Sequence, residues 1–319
     1  MSMDLNVKSI KKNAYRITKH RNKTALRIRV PGGEINAKYL GVVQNIAEKY
    51  GDGNVHITTR QGFEVTGIPF DKIDEVNKEV KTIIEGLELD YGVRIEKPEE
   101  GYPAAGTRNV SACIGNKVCK FANYNTTEFA RKIEKAIFPN DYHVKIALTG
   151  CPNDCIKAHM QDFGIIGMVE PEYHMDRCIG CEACVKNCKR RVTEALSMKN
   201  GKVIRDEKRC IGCGECILKC PMAAFTRNPK KYYKVVIMGR TGKRDPRIAK
   251  PFLQWVTEET IIKVITNTYD YIDEFIDRSL PKEHVGYIVD RTGYQVFKEY
   301  ALKDVELNEK AVVSEYIHF

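Results

Sequence analysis

Twelve cysteines fall into three sets of four, and this arrangement constrains the chain more than any other feature. Cys178, Cys181, Cys184 and Cys188 read C-x2-C-x2-C-x3-C, and Cys210, Cys213, Cys216 and Cys220 repeat that spacing, with Pro221 after the last. Cys113 and Cys119 read C-x5-C, and Cys151 and Cys155 read C-x3-C within Thr149-Gly-Cys-Pro-Asn-Asp-Cys155. No cysteine is left over. A [4Fe–4S] cluster takes four thiolates, so the count predicts three clusters.

The rest of the composition sets the background. At 319 residues the chain can bury a sizeable core in two or three domains. No stretch is apolar for long enough to cross a bilayer, and residues 1–10 lack a signal-peptide apolar core. The expectation is a cytoplasmic protein without membrane contact. Cysteines used this densely inside a cell argue for metal rather than disulfides, and exposed clusters suggest surroundings poor in oxygen. The net charge of +10 is mostly a solvated lysine-rich surface, with a field that would attract a small anion or a polycarboxylate cofactor. No basic run interleaves with aromatic residues, so nucleic acid is not an expected partner.

Residues 1–95 read as a compact α+β unit. Thr24–Val30 alternates, with Leu26, Ile28 and Val30 on one face and Arg27 and Arg29 on the other. Asn36–Tyr50 has helical spacing, with Leu40, Val43, Ile46 and Ala47 on one side. Asn54–Arg60 alternates again, setting His56, Thr58 and Arg60 opposite Val55 and Ile57. A strand starting near Phe63 and a helix over Asp71–Leu87 complete a ferredoxin-like half-sandwich. Further on, the pattern predicts a helix over Asn125–Ile137, a strand over His143–Leu148 that delivers Cys151, and a buried strand over Phe163–Val169. Pro152 and Asn153 put the Cys151/Cys155 pair on a turn. After residue 227 a strand at Tyr232–Met238, a loop at Gly239–Arg247 and a helix over Glu259–Ser279 resume the α/β pattern.

The segment 171–227 contains a repeat. Met175-Asp-Arg-Cys-Ile-Gly-Cys181 parallels Glu207-Lys-Arg-Cys-Ile-Gly-Cys213, thirty-two residues later. Three thiolates at C-x2-C-x2-C spacing cap one cube, and the fourth cysteine ligates the other cluster. Cys178, Cys181, Cys184 and Cys220 are therefore assigned to one cluster, and Cys210, Cys213, Cys216 and Cys188 to the second. Lys189 stands where a proline often follows the fourth cysteine. A zinc site is the competing reading, and two tandem triplets outweigh it.

The remaining set, with Thr149-Gly-Cys-Pro-Asn-Asp-Cys155, resembles the signature of the sirohaem-containing sulfite and nitrite reductases. Thr58-Thr-Arg-Gln61, Arg108-Asn-Val110 and Gly239-Arg-Thr-Gly-Lys243 with Pro246-Arg247 match the same superfamily, and the resemblance runs from about residue 15 to 280. The insert's position resembles that in dissimilatory sulfite reductase subunits. The resemblance implies a ferredoxin-like half-domain (1–95), a sirohaem/[4Fe–4S]-binding domain (96–170 and 228–319) and an inserted two-cluster bacterial ferredoxin domain (171–227). It implies a [4Fe–4S] cluster held by Cys113, Cys119, Cys151 and Cys155 and joined to sirohaem through Cys155. It also implies six-electron reduction of sulfite to sulfide, with Arg60, Arg108 and Lys145 at substrate-contacting positions. His143 stands where the family often has a second lysine; a proton donor and an ordinary strand residue are equal readings of it. Arg27, Arg29, Arg240, Lys243 and Arg247 are candidates for the sirohaem carboxylates.

Larger family members hold two copies of the repeating unit and this chain holds one, so pairing of two chains with sites shared in trans is a hypothesis. There is no G-x-G-x-x-G after a strand and no Walker A motif. The resemblance accordingly implies a flavin subunit oxidising NAD(P)H and a ferredoxin-like subunit as electron donors. A nitrite reductase of the same superfamily, or a non-catalytic electron carrier, are the competing readings.

Overall fold

A computed structural model describes residues 14–91, 109–138, 142–191, 193–242, 245–280 and 283–319. Arg108 and Lys243 lie outside the described residues. The chain divides into two compact units. One comprises 1–112, 127–146 and 265–303, and the other 113–126, 147–264 and 304–319. This division does not coincide with the three-part reading of the sequence, because 127–146 and 265–303 group with the N-terminal residues.

In the first unit the chain runs β1 (Tyr15–Ile17), β2 (Lys23–Ile28), α1 (Leu40–Lys49), β3 (Val55–Ile57), β4 (Phe63–Pro69) and α2 (Ile73–Tyr91). The sheet order is β1-β2-β4-β3, antiparallel at each pairing, with Leu26 opposite both Tyr15 and Val65. Leu26, Ile28, Val65 and Ile68 pack with Val43 and Ile46 of α1 and with Val76, Val80 and Ile83 of α2, so helix and strand periodicities bury one common face. The order expected from the sequence is present, with β1 added at its front. One face differs. Val55 and Ile57 are exposed, Ile57 at 71%, because β3 is the edge of the sheet and its side chains stand clear of the helix-covered core. Leu40, expected on the apolar side of α1, is also exposed.

The short strand β5 (Ser111–Ala112) precedes Cys113, and α3 (Thr126–Ile137) buries Phe129, Ala130, Ile133 and Ile137, the stripe the 3.6-residue period predicts. The strand expected over His143–Leu148 starts late. Val144 donates its N–H to the Tyr142 carbonyl at 3.0 Å, a tight turn that removes His143–Lys145 from the ladder, and β6 spans Ile146–Thr149.

The second unit is built on a sheet. β7 (Phe163–Met168) is buried at every residue, as its unbroken apolar run predicts. β8 (Pro171–Tyr173) then opens the cysteine-rich segment, followed by α4 (Ala183–Arg190), the hairpin β9 (Leu196–Lys199) and β10 (Lys202–Arg205), α5 (Glu215–Lys219) and β11 (Phe225–Arg227). β8 and β11 pair antiparallel, Tyr173 against Phe225, and close the segment on itself. β12 (Tyr232–Ile237) returns to the large sheet antiparallel to β7, and β13 (Lys250–Val256) pairs antiparallel with β12. The chain continues through α6 (Glu258–Phe275), then α7 (Val285–Thr292) and α8 (Tyr294–Ala301) of the first unit, and ends on β14 (Val312–Val313) beside β13. Among the described residues, no helix is long and apolar enough to cross a membrane.

Candidate functional site

The sequence repeat is a structural repeat. Gly180 and Gly212 both have positive φ (71° and 63°), as do Glu182 and Gly214 (61° and 74°), thirty-two residues apart in each pair. Each left-handed turn ends one cysteine triplet's loop and starts a helix, α4 or α5. Cys178, Cys181, Cys184 and Cys220 line one cavity together with Ile179, Met222 and Phe225. Cys188, Cys210, Cys213 and Cys216 line another, with Asn187, Arg191 and Glu215. These are the two cross-paired quartets that the spacing predicts. Burial pushes the Cys184 thiol up, with Cys220 and Cys181 adding to the rise. Burial does the same to Cys213, to which Glu215, Cys210 and Cys188 add. In contrast, the Tyr173 hydroxyl and then the Gly180 N–H hold Cys178 down. Among the described residues no three metal-binding side chains converge closely enough for a single ion. Each quartet instead lines a single cavity.

The third set assembles in the second unit. Cys113 leaves β5 with its N–H on the Leu148 carbonyl at 3.0 Å, and its Sγ accepts the Gly150 N–H at 3.1 Å. Cys151 follows β6 on a turn whose Asp154 N–H reaches the Cys151 carbonyl at 3.3 Å. Burial pushes the Cys151 thiol up, and Cys119, Cys113 and Cys155 contribute further, so the other three cysteines lie within electrostatic reach of Cys151. Cys151 is buried, Cys113 and Cys119 are half-buried, and Cys155 is exposed. Asp154, at φ 47°, ties down the chain after Cys155. Its carboxylate accepts the Ala158 N–H at 2.6 Å and the His159 N–H at 3.2 Å, and lies 2.6 Å from His159 Nδ1. Those hydrogen bonds hold Asp154 below the usual carboxylate range against the opposing effect of burial.

The expected substrate cations belong to the first unit. Arg60 sits in a turn where Gln61 donates its N–H to the Thr58 carbonyl at 2.9 Å, not on a strand. Its Nη2 donates to the carbonyls of Asn109 at 2.7 Å and Ile146 at 3.1 Å. Ile146 immediately follows Lys145 in the chain, so the Arg60 guanidinium holds the backbone next to that expected position. Lys145 itself is half-buried. His143 is buried (6% exposed) with its ring 5.0 Å from that of His284, a packed histidine pair in place of an open proton donor.

The cofactor cations divide. Arg27 is 3.5 Å from Glu64 on the neighbouring strand β4. Arg29, expected to face away from the core, is instead buried in an ion pair with Glu134 of α3, with its guanidinium 5.2 Å from the Phe138 ring. Arg240 and Arg247 form a two-residue bridge through their backbones, and Arg240 Nε donates to the Asp245 carbonyl at 2.7 Å. Arg247 Nε donates to the Met238 carbonyl at 2.8 Å and its guanidinium covers the Phe319 ring at 4.3 Å.

Three polar residues hold these loops: Asn109 and Gln61, which the matched motifs contain without a role assigned to them, and Asn123, which no motif contains. Asn109 accepts the Val30 N–H and donates to the carbonyls of Val30 and Arg60. Gln61 exchanges two hydrogen bonds with the Ala112 backbone, at 2.7 and 2.8 Å, just before Cys113. Asn123 donates its side-chain amide to the carbonyls of Gly167 and Gly212 and its backbone N–H to the Gly150 carbonyl. Their partners are not readable from the sequence, because each acts through a main-chain group distant in the chain.

The family model for the nitrite and sulphite reductase 4Fe-4S domain matches residues 104–310, and that for the nitrite/sulfite reductase ferredoxin-like half domain matches residues 18–83. The chain belongs to the nitrite and sulphite reductase family. A subunit of the anaerobic sulfite reductase of Salmonella typhimurium (strain LT2) is 44% identical over 100% of this chain and 95% of its own. Coenzyme F420-dependent sulfite reductase of Methanocaldococcus jannaschii is 31% identical over 86% of this chain and 41% of its own length. The crystal structure of dissimilatory sulfite reductase I superposes with a TM-score of 0.68, covering 93% of this chain and 73% of that one at 17% identity, and so shares the fold.

Proposed function

We propose that this chain is the catalytic subunit of a sulfite reductase. The observation that carries the reading is the convergence of Cys113, Cys119, Cys151 and Cys155 in a chain similar over its full length to a sulfite reductase subunit. The four thiols fit a [4Fe–4S] cluster in number and donor chemistry. Cys155 is the exposed member, so its sulfur is the one open to a second iron. That fits a sirohaem sharing this thiolate. The sirohaem, when bound, supplies an iron with an open face for sulfite and a delocalised macrocycle that passes on electrons.

The chain's own residues do the rest. Arg60, with Arg108 and Lys145 in the adjoining sequence, supplies positive charge for the sulfite oxygens. The Arg60 guanidinium is fixed by two carbonyls, so little reorganisation accompanies charge development on the substrate. Arg27, Arg240, Lys243 and Arg247 are the proposed partners for the sirohaem carboxylates. The buried pairing of Arg29 assigns it to the scaffold instead. Segment 171–227 is proposed as an inserted two-cluster ferredoxin module that receives electrons from a flavin subunit oxidising NAD(P)H and a ferredoxin-like subunit. Two chains are proposed to pair, with the cations of one completing the site on Cys155 of the other.

The test is an anaerobic absorption spectrum of the purified chain with a reduced dye, with and without sulfite. A chlorin-type band that shifts on adding sulfite, with dye oxidation, is expected. Broad iron–sulfur absorption alone, after expression in a sirohaem-competent host, would reduce the chain to an electron carrier. Competition between sulfite and nitrite separates the two activities of the family. Mixing inactive Arg60→Ala and Cys155→Ser chains tests sharing in trans: mixed dimers without recovered activity refute it.

A further inference from the structure

Asn123 joins two loops of the same unit, each leading directly into a cysteine. Its backbone N–H donates to the Gly150 carbonyl at 2.7 Å, and that carbonyl belongs to the peptide that continues into Cys151. Its side-chain amide donates to the carbonyls of Gly167 at 3.2 Å and Gly212 at 3.4 Å, and the Gly212 carbonyl belongs to the peptide that continues into Cys213. One residue therefore connects, through two hydrogen bonds, a ligand of the module's Cys188/Cys210/Cys213/Cys216 quartet to a ligand of the Cys113/Cys119/Cys151/Cys155 quartet.

The orientation of the amide is set independently. Arg227 donates to Asn123 Oδ1, and also to the Lys120 carbonyl at 3.4 Å. A flipped amide would place its oxygen against two carbonyls and its nitrogen against a guanidinium, so only the observed orientation satisfies every partner. The backbones approach too closely for side chains on either glycine. A Cβ on Gly150 would stand 2.4 Å from the Ala122 Cβ, and one on Gly212 would stand 2.9 Å from the Met168 Cβ. The Gly212 carbonyl is further pinned by the Val169 N–H at 2.9 Å.

We propose that Asn123 is the positioning residue that couples these two quartets for electron transfer, so that electrons leave the module from the Cys213 side. The proposal rests on reading both quartets as [4Fe–4S] sites. In each passage one electron leaves the site held by Cys213, which is oxidised, and enters the site held by Cys151, which is reduced. No bond forms or breaks, and Asn123 exchanges no proton.

The test loads the full chain with its clusters, mixes it anaerobically with limiting dithionite and follows each cluster by freeze-quench EPR. Asn123→Asp, nearly isosteric, and Asn123→Leu both lose the donor to Gly212. Reduction of the module clusters is expected at the unsubstituted rate, and reduction of the third cluster is expected about tenfold slower, the weight of one hydrogen bond in a rate. Midpoint potentials are expected to stay unchanged. Arg227→Gln, which leaves Asn123 itself in place, is expected to slow the same phase by less. Reduction of the third cluster at the unsubstituted rate in both Asn123 variants overturns the proposal. So does a fall in that cluster's amplitude at an unchanged rate, which would mark Asn123 as a support for the Cys151 loop alone. Absence of a third cluster signal from the unsubstituted chain overturns the cluster reading, and the proposal with it.

Discussion

The Arg29–Glu134 pair decides whether a cation read from strand alternation serves the cofactor or the scaffold. Arg29 follows β2 and Glu134 lies on α3, and their side chains are 3% and 1% exposed. Replacing Glu134 with Gln keeps the shape and removes the counter-charge of a buried guanidinium. Breaking a buried pair from one side costs about 3–5 kcal/mol. The Phe138 ring, 5.2 Å from the guanidinium, remains as a partner for the cation. Its contact is worth about 1–2 kcal/mol once desolvated and is present before and after the change, so it does not alter the difference. The expected loss is therefore about 3 kcal/mol or more. The double variant Arg29→Met/Glu134→Leu removes both charges and should lie within about 1 kcal/mol of the original, because apolar replacements of a buried pair are often neutral or stabilising. Urea unfolding of the anaerobically purified chain, followed by far-UV circular dichroism, measures each variant against the original. Trp255, the one tryptophan, lies in the other unit and gives a separate fluorescence reading. If Glu134→Gln costs less than about 1 kcal/mol while Arg29→Met strips a bound tetrapyrrole, the scaffold argument fails and Arg29 holds the cofactor.

Three further outcomes follow from the same structure. Cys220→Ser should abolish the EPR signal of the cluster held by Cys178, Cys181 and Cys184 and leave that of Cys210, Cys213 and Cys216; the opposite pattern refutes the cross-pairing. Gly150→Ala, whose Cβ would meet Ala122 at 2.4 Å, should shift the Cys151 loop at a cost of about 1–3 kcal/mol and lose the third cluster selectively, as read by EPR. Burial pushes Tyr271 up to about 12, so between pH 10 and 12 the folded chain keeps a proton that the unfolded chain releases. Stability present below pH 10 should then fall with rising pH, by roughly 2–3 kcal/mol from this group, and Tyr271→Phe should flatten that slope in urea titrations.

The cysteine quartets were legible because their determinants are local. Triplets at fixed spacing share one loop shape, and the repeat fixes which fourth cysteine belongs to which triplet; the paired positive φ angles at Gly180 and Gly212 are that loop shape. The unbroken apolar run of β7 and the stripe of α3 were legible for the same reason. Long-range partners were not. Arg29 reads as an outward residue until Glu134, 105 positions away, supplies its counter-charge. Val55 and Ile57 alternate like a core strand, yet an edge position leaves them exposed. His143 and Lys145 fall outside β6 because a turn between Tyr142 and Val144 intervenes, and two residues of apolar character do not reveal it. Asn109 and Gln61 stand inside matched motifs, yet their roles, like that of Asn123, were not legible because they bind main-chain groups, which carry no sequence identity.

The cysteine-rich segment cannot be held by its apolar core alone. Among the described residues its core cluster joins the buried Cys184, Leu196, Val203 and Phe225, one of them a ligand candidate, with Tyr173, Val185, Met198 and Ile217 packed partly buried against them. At about 25 cal/mol per Å² such a core falls well short of the conformational entropy of ordering some fifty residues. Small modules of this size draw on metal or disulfide cross-links. The proposed cross-pairing makes such a cross-link long-range: with clusters bound, Cys220 would close a loop back to Cys178 and Cys188 another to Cys210, so that each site joins the first and second halves of the repeat. On that proposal, loading one site orders loops that supply a thiol to the other, and metal binding and folding of the segment become one equilibrium. In the proposed arrangement the covalent frame and the electron route share the same sulfur atoms.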